Sequence, residues 1–124
     1  MKMKLELISV PVSDVDKAKT FYIEKLGFHL DYDRKINDSL RGVQLTPPGS
    51  ECSIMFGLGV TSMKPGSIES LLLVVDDIQK ARTELAEHGV EISEIKVMPW
   101  GASHAFFSDP DGNKWQLQQP RRNE

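Results

Sequence analysis

Three histidines, one cysteine and an acid-and-amide run near the C-terminal end are the side chains here best suited to chemistry. His104 lies in Ser103-His104-Ala105-Phe106-Phe107, which reads as a strand. Counting by twos puts His104 and Phe106 on one face and Ala105 and Phe107 on the other. An imidazole changes charge near neutral pH, so His104 is the acid–base candidate of the chain. No paired carboxylate or nucleophile stands beside it. His88 directly precedes Gly89 at the end of a helical pattern, where a cation complements the helix dipole. His29 follows Leu26-Gly27-Phe28 at the start of a strand and reads as a surface residue. The three are not at metal-ligand spacing. Cys52 sits beside Ser53 on a strand, has no neighbouring base, and reads as a small buried hydrophobe. Asp109, Asp111 and Asn113 alternate like oxygen ligands, but the segment lacks the length and terminal Glu of a calcium loop, so it reads as a turn. Trp100, between Met98-Pro99 and Gly101, is a loop aromatic that either contacts a ligand or closes a sheet edge.

These groups must be positioned by a scaffold, and the scaffold is written twice. Val12-Ser13-Asp14-Val15-Asp16-Lys17-Ala18-Lys19-Thr20 matches Val75-Asp76-Asp77-Ile78-Gln79-Lys80-Ala81-Arg82-Thr83 at an offset of 75 − 12 = 63. Both segments then reach a Gly–apolar pair, Gly27-Phe28 and Gly89-Val90, with one residue of slippage. The offset recovers at Pro47-Pro48-Gly49 and Pro110-Asp111-Gly112. Two copies are a duplication, not a solenoid. Each copy has an apolar strand, an Asp suited to capping a helix (Asp14, Asp77), an amphipathic helix and a Gly stop. Three strand-like runs follow: 28–34, 40–46 and 52–58 in the first copy, 91–97, 103–108 and 113–119 in the second. The last two are joined by Asp109-Pro110-Asp111-Gly112-Asn113, dense in turn formers. The expected fold is therefore α+β, two paired βαβββ modules forming a half-open sheet cleft. The whole of 1–124 reads as one domain: a first module at 4–58, a linker at 59–67 and a second module at 68–119. Pairing two such modules buries the helices on one side. Trp115, alternating with Gln116, is expected under the sheet against a helix; Phe21 and Tyr22 read as core.

Composition agrees with a globular domain: 40% hydrophobic and 27% charged residues, with a net charge of −3. That balance argues against a nucleic-acid-binding face, and Arg121-Arg122 is too short to make one. The longest aliphatic run, Leu71 to Val75, is far short of the ~20 residues of a membrane helix. Met1 to Glu6 lacks the apolar stretch of a signal peptide. A lone cysteine makes no internal disulfide, and the expected setting is cytoplasmic.

Val12-Ser13-Asp14 leading to Phe21-Tyr22-Ile23-Glu24-Lys25-Leu26-Gly27-Phe28, together with Phe107-Ser108-Asp109-Pro110-Asp111-Gly112-Asn113, resembles the vicinal oxygen chelate superfamily. That superfamily includes glyoxalase I, extradiol dioxygenases and bleomycin-resistance proteins, and the resemblance covers residues 4–119. It implies one divalent metal held by His, Glu or Gln from the first and last strands of each module. By the family's spacing two of those positions are Leu7 and Gln116, and the 63-residue offset carries them to Ser70 and Ser53. None is charged or an imidazole, so no metal and no other cofactor is expected. The resemblance also implies cleft walls at Leu5, Leu7, Ser53, Met55, Ser70, Leu72, Trp100, His104, Phe106, Gln116 and Gln118. It implies a homodimer, because relatives often complete their clefts between chains. Three functions stand open. The first is a metal-independent protein that sequesters a small-molecule ligand. The second is a glyoxalase-like lyase, isomerase or dioxygenase with unusual ligands or proton transfer by His104. The third is a regulatory or partner-binding module with a vestigial cleft.

Overall fold

The computed structural model describes residues 1–121, and Arg122 of the basic pair lies outside them. In the first module, β1 (Leu7–Ser9) leads to α1 (Val15–Thr20), a π-helical turn (Phe21–Lys25), β2 (His29–Asn37), β3 (Leu40–Thr46) and β4 (Ser53–Leu58). The second has β5 (Leu71–Val74), α2 (Ile78–Glu87), β6 (Lys96–Val97), β7 (Ser103–Ser108) and β8 (Lys114–Gln119). Each module closes its own four-stranded mixed sheet, ordered β1-β4-β3-β2 and β5-β8-β7-β6. This is the α+β fold the duplication predicts.

Both helices begin as their sequences dictate. The Asp14 carboxylate accepts from the Lys17 N–H at 3.0 Å, and the Asp77 carboxylate accepts from the Lys80 N–H at 3.1 Å. Each satisfies a donor that the first helical turn leaves free. Both helices stop at glycines in the left-handed region, Gly27 at φ 74° and Gly89 at φ 87°, where a Cβ would be strained. The slippage between the copies has a backbone cause. One extra residue separates Asp14 from Gly27 relative to Asp77 and Gly89, and the helix absorbs it as a π-turn. Its signature is the i→i+5 bond from the Leu26 N–H to the Phe21 carbonyl at 3.2 Å.

One face of each sheet turns to a common core. Val43, Leu45, Ile54 and Phe56 come from the first sheet and Leu71, Ala105, Phe107, Trp115 and Leu117 from the second. Tyr22, fully buried, lies between them with ring centroids 5.6 Å from Phe56 and 5.7 Å from Trp115. Trp115 packs under its sheet as alternation requires, and its indole N–H donates to the Tyr22 hydroxyl at 2.9 Å.

The expected strand over 91–97 shortens to Lys96–Val97. The preceding residues are held by other means. Arg82 of α2 donates through Nε to the Ser93 carbonyl at 2.7 Å, and the Ser93 hydroxyl accepts the Phe106 N–H at 2.9 Å. Side chains have taken groups that a longer ladder would have used. Cys52 also differs from expectation: it precedes β4 and is half-buried rather than buried.

Candidate functional site

The Asp109–Asn113 turn fastens the two modules together. Asp109, buried at 5% exposure, accepts from the Tyr22 hydroxyl at 2.7 Å, the Asn113 amide at 2.8 Å and the N–H groups of Asp111 and Asn113. Asn113 donates to the Pro11 carbonyl at 2.8 Å and accepts the Ile68 N–H at 3.1 Å. Asp111 receives the N–H and hydroxyl of Ser13. Burial, and then the Asp109 charge beside it, push the Tyr22 phenol far above its usual range, so Tyr22 stays a neutral donor. The oxygen spacing noticed in the sequence thus serves a turn that locks one module to the other.

The outer faces of the sheets, turned from this core, carry the candidate site. On the second sheet, β5, β7 and β8 present Leu72, Val74, His104, Phe106, Gln116 and Gln118, with Trp100 on the loop before β7. Leu72 is exposed at 43%, Val74 at 61%, Trp100 at 62% and Phe106 at 37%, although this is a sheet face bearing large apolar groups. His104 is buried beneath them, with ring centroids 6.0 Å from both Trp100 and Phe106. Its Nδ1 is 2.9 Å from Gln116 Oε1 and its Nε2 is 2.8 Å from Gln118 Oε1. The Gln116 amide nitrogen in turn donates to the Ser70 hydroxyl at 2.9 Å. A depression of about 660 Å³ opens at one end of this face, lined by Glu69, Ser70, Glu91, Phe106, Lys114 and Gln116 among others.

The first sheet's outer face pairs its polar groups among themselves, beside Leu7 and Met55. Gln44 Nε2 donates to Asp31 at 3.1 Å, Thr46 also donates to Asp31, and the Thr46 and Ser53 hydroxyls are 2.6 Å apart. Arg34 stacks over the Tyr32 ring at 4.8 Å. Leu7 pairs in register with Ser53, and Ser9 with Met55. Leu5 precedes β1 and is exposed.

The family's four metal positions do not fit a divalent ion. Leu7 has no donor atom. The hydroxyl of Ser53 is engaged by Thr46, and both polar ends of Gln116 are engaged by His104 and Ser70. Among the described residues, no three His, Cys, Asp or Glu side chains group to hold a metal. The geometry also relocates one position: the residue opposite Gln116 is Leu72, and Ser70 lies just before β5. The first module has two more residues between its strand and its helix cap than the second, so the 63-residue offset does not carry from helix back into strand. His29 is exposed, as expected of a surface residue, and the His88 ring meets the Lys25 carbonyl at 3.1 Å at the end of α2.

Sequence reasoning missed three features of this surface. Val74 is one, although counting by twos from Leu72 finds it. Asp31 is another; a register irregularity between Leu30 and Tyr32 breaks the alternation that would have placed it. The third is the pairing of His104 with two glutamines across β7 and β8, which requires knowing the antiparallel register.

This fold and surface define a class. The chain belongs to the Glyoxalase/Bleomycin resistance protein/Dioxygenase superfamily, whose family model matches residues 4–117. It is similar to TnmS3, an antibiotic binding protein from Streptomyces sp. CB03234, at 41% identity and a TM-score of 0.86, over 96% of this chain and 97% of that one. A superfamily member from Sphaerobacter thermophilus DSM 20745 is 33% identical with a TM-score of 0.84, over 96% of this chain and 98% of that one. The uncharacterized protein YaeR of Escherichia coli (strain K12) is 31% identical over 118 residues, 89% of this chain and 91% of its own.

Proposed function

We propose that this protein binds a small apolar or aromatic molecule without a metal, on the outer face of its second sheet, and that a homodimer completes the site. The observation that carries the reading is that face itself: Leu72, Val74, Trp100 and Phe106 stand in solvent around a buried, hydrogen-bonded His104. Leu72 and Val74 on β5 and Phe106 on β7 flank the polar Gln116 and Gln118 of β8, and exposed apolar groups around a few polar ones suit a ligand or protein contact. The antibiotic-binding description of TnmS3 supports the ligand class. Support for the dimer comes from the same exposed apolar groups, which a second copy would cover. A reducing, cytoplasmic setting suits the unpaired Cys52. Catalysis by His104 is not favoured, because both ring nitrogens face amide oxygens rather than a carboxylate or a nucleophile.

Three measurements on the purified protein test this. Light scattering after size exclusion should give a dimer mass. Elemental analysis should find no stoichiometric transition metal, and a chelator should leave the melting temperature unchanged. A thermal-shift screen of antibiotics and other aromatic natural products should find stabilising ligands that Trp100→Ala weakens. A bound stoichiometric metal that raises the melting temperature would sink the metal-free reading.

A further inference from the structure

The two copies of the repeat fill one layer differently. Ala18 and Tyr22 of the first module match Ala81 and Leu85 of the second at the common offset, 85 − 22 = 63. Val10 and Val75 correspond through the ladders: their N–H groups donate to the Met55 and Gln118 carbonyls at 2.8 Å and 2.9 Å. Val10, Ala18 and Tyr22 are at most 1% exposed. Val75, Ala81 and Leu85 are only half-buried. A tyrosine ring closes the layer between helix and sheet in one copy, and the shorter leucine leaves it open in the other.

A cavity of about 370 Å³ remains there, within the ~300–1,000 Å³ of small-molecule sites. One wall is β5 and α2, through Leu73, Val75, Ala81 and Leu85; the other is Leu26–Phe28 and the Pro47–Pro48 pair of the first module. Leu73 and Val75 alternate with Leu72 and Val74, so the cavity lies on the side of the sheet opposite the outer face. The His88 ring, also in its lining, donates to the Lys25 carbonyl at 3.1 Å and so ties the two walls together.

The rim of this seam favours a cation. Glu84 shares a helical face with Ala81, Leu85 and His88, and it is the carboxylate of a lining that holds no lysine or arginine. Among the described residues, none of the six ion pairs includes Glu84. The two prolines supply no N–H donor. Lys80 lies one turn before Glu84, and the Lys25 ammonium lies 3.7 Å from where a Cβ on Gly89 would sit, yet neither lines the cavity. We propose that the seam is a second binding site, for a small aromatic ammonium. The ring fills in the second module the layer that Tyr22 fills in the first, and the charged nitrogen rests on the Glu84 carboxylate. An aromatic carboxylate of the same size meets like charge and is turned away. This site stands whether or not the outer face binds a ligand.

The test titrates the full chain, with its leucine methyls labelled with ¹³C, against 2-phenylethylamine near neutral pH, where that amine is charged. The Leu73 and Leu85 methyl signals should shift and saturate, with a dissociation constant at or below about 1 mM. The same constant should hold in Trp100→Ala, and 3-phenylpropionate should leave the signals in place. Glu84→Gln should weaken the amine about two- to fivefold. Leu85→Phe, which returns a ring to the layer, should abolish binding; Leu73→Phe serves if that variant does not fold. The proposal is overturned if no saturating shift appears, if 3-phenylpropionate binds as well, or if Glu84→Gln or a filled cavity leaves the affinity unchanged. Loss of the amine in Trp100→Ala would move it to the outer face and overturn the assignment. Shifts of Leu73 and Leu85 that follow protein concentration instead of the amine would show a second copy covering the seam, which equally overturns it.

Discussion

The two modules share a chassis and differ in the surface each turns outward. Asp14 and Asp77 cap their helices in the same way, and Gly27 and Gly89 end them in the same conformation. Lys19 and Arg82, matched by the repeat, each tie helix to following segment: Lys19 to Asp33 at 3.0 Å, Arg82 to the Ser93 carbonyl at 2.7 Å. The outer faces then part company. The first pairs its polar groups among themselves, around Asp31, Thr46 and Ser53, whereas the second leaves Leu72, Val74, Trp100 and Phe106 in water. Burial constrains the residues that make a fold, and a solvent-facing sheet surface is free to acquire binding chemistry. A duplicated chain can therefore keep one half as support while the other half carries the site.

The sharpest way to break this comparison is at the lock between the halves. Asp109→Ala orphans the Tyr22 hydroxyl, the Asn113 amide and two N–H groups, and should cost about 3–5 kcal/mol in urea unfolding. Tyr22→Phe, which frees one Asp109 contact and the Trp115 N–H, should cost about 1–3 kcal/mol. Unchanged stability in Asp109→Ala would mean that the modules hold together without the turn. On the outer faces, Val74→Glu should change monomer stability by less than about 1 kcal/mol, because Val74 is already exposed. If the outer face of the second sheet forms the proposed homodimer, Val74→Glu should nonetheless lower the mass seen in light scattering to that of one chain. Val43→Glu, on the buried face, should prevent folding outright as judged by circular dichroism.

The smallest effect concerns charge in the first module. Arg41 hydrogen-bonds to Asp33 at 2.8 Å and 3.0 Å, with Lys19 adding a contact, and these hold the Asp33 carboxyl well below its usual range against the opposing pull of burial. A depressed folded value stabilises the protein above the unfolded value of about 3.9 and loses that contribution as pH falls below it. Asp33→Asn should therefore cost about 1–2 kcal/mol at pH 7. The gap from the unsubstituted protein should narrow as denaturation curves are repeated below about pH 4. A gap that widens toward acid would reverse the assignment.

Much of the chassis was readable from residues alone, because caps, glycine stops and turn formers act locally. The duplication exposed Asp14, Asp77, Gly27 and Gly89 without any coordinates. The π-turn was present as a one-residue slip, but an offset does not say whether a loop or a helix absorbs it. The site was less legible. Strand alternation puts His104 and Phe106 on one face, yet the contacts of His104 with Gln116 and Gln118 depend on cross-strand register, which turn geometry and core packing set together. The 63-residue offset points from Leu7 to Ser70 because it runs backward across a connection whose length differs between the copies; the mate of Leu7 is the residue opposite Gln116. Leu72 occupies that place.

The turn at Asp109–Asn113 has a consequence for how the chain is made. Its bonds to Tyr22, Ser13 and Pro11 span sequence separations of 87, 98 and 102 residues. During synthesis, the Tyr22 hydroxyl keeps its hydrogen bond to water until Asp109 has emerged and can replace it. Contacts this distant in sequence close late, so the lock between the modules is among the last parts of the fold that a growing polypeptide can complete.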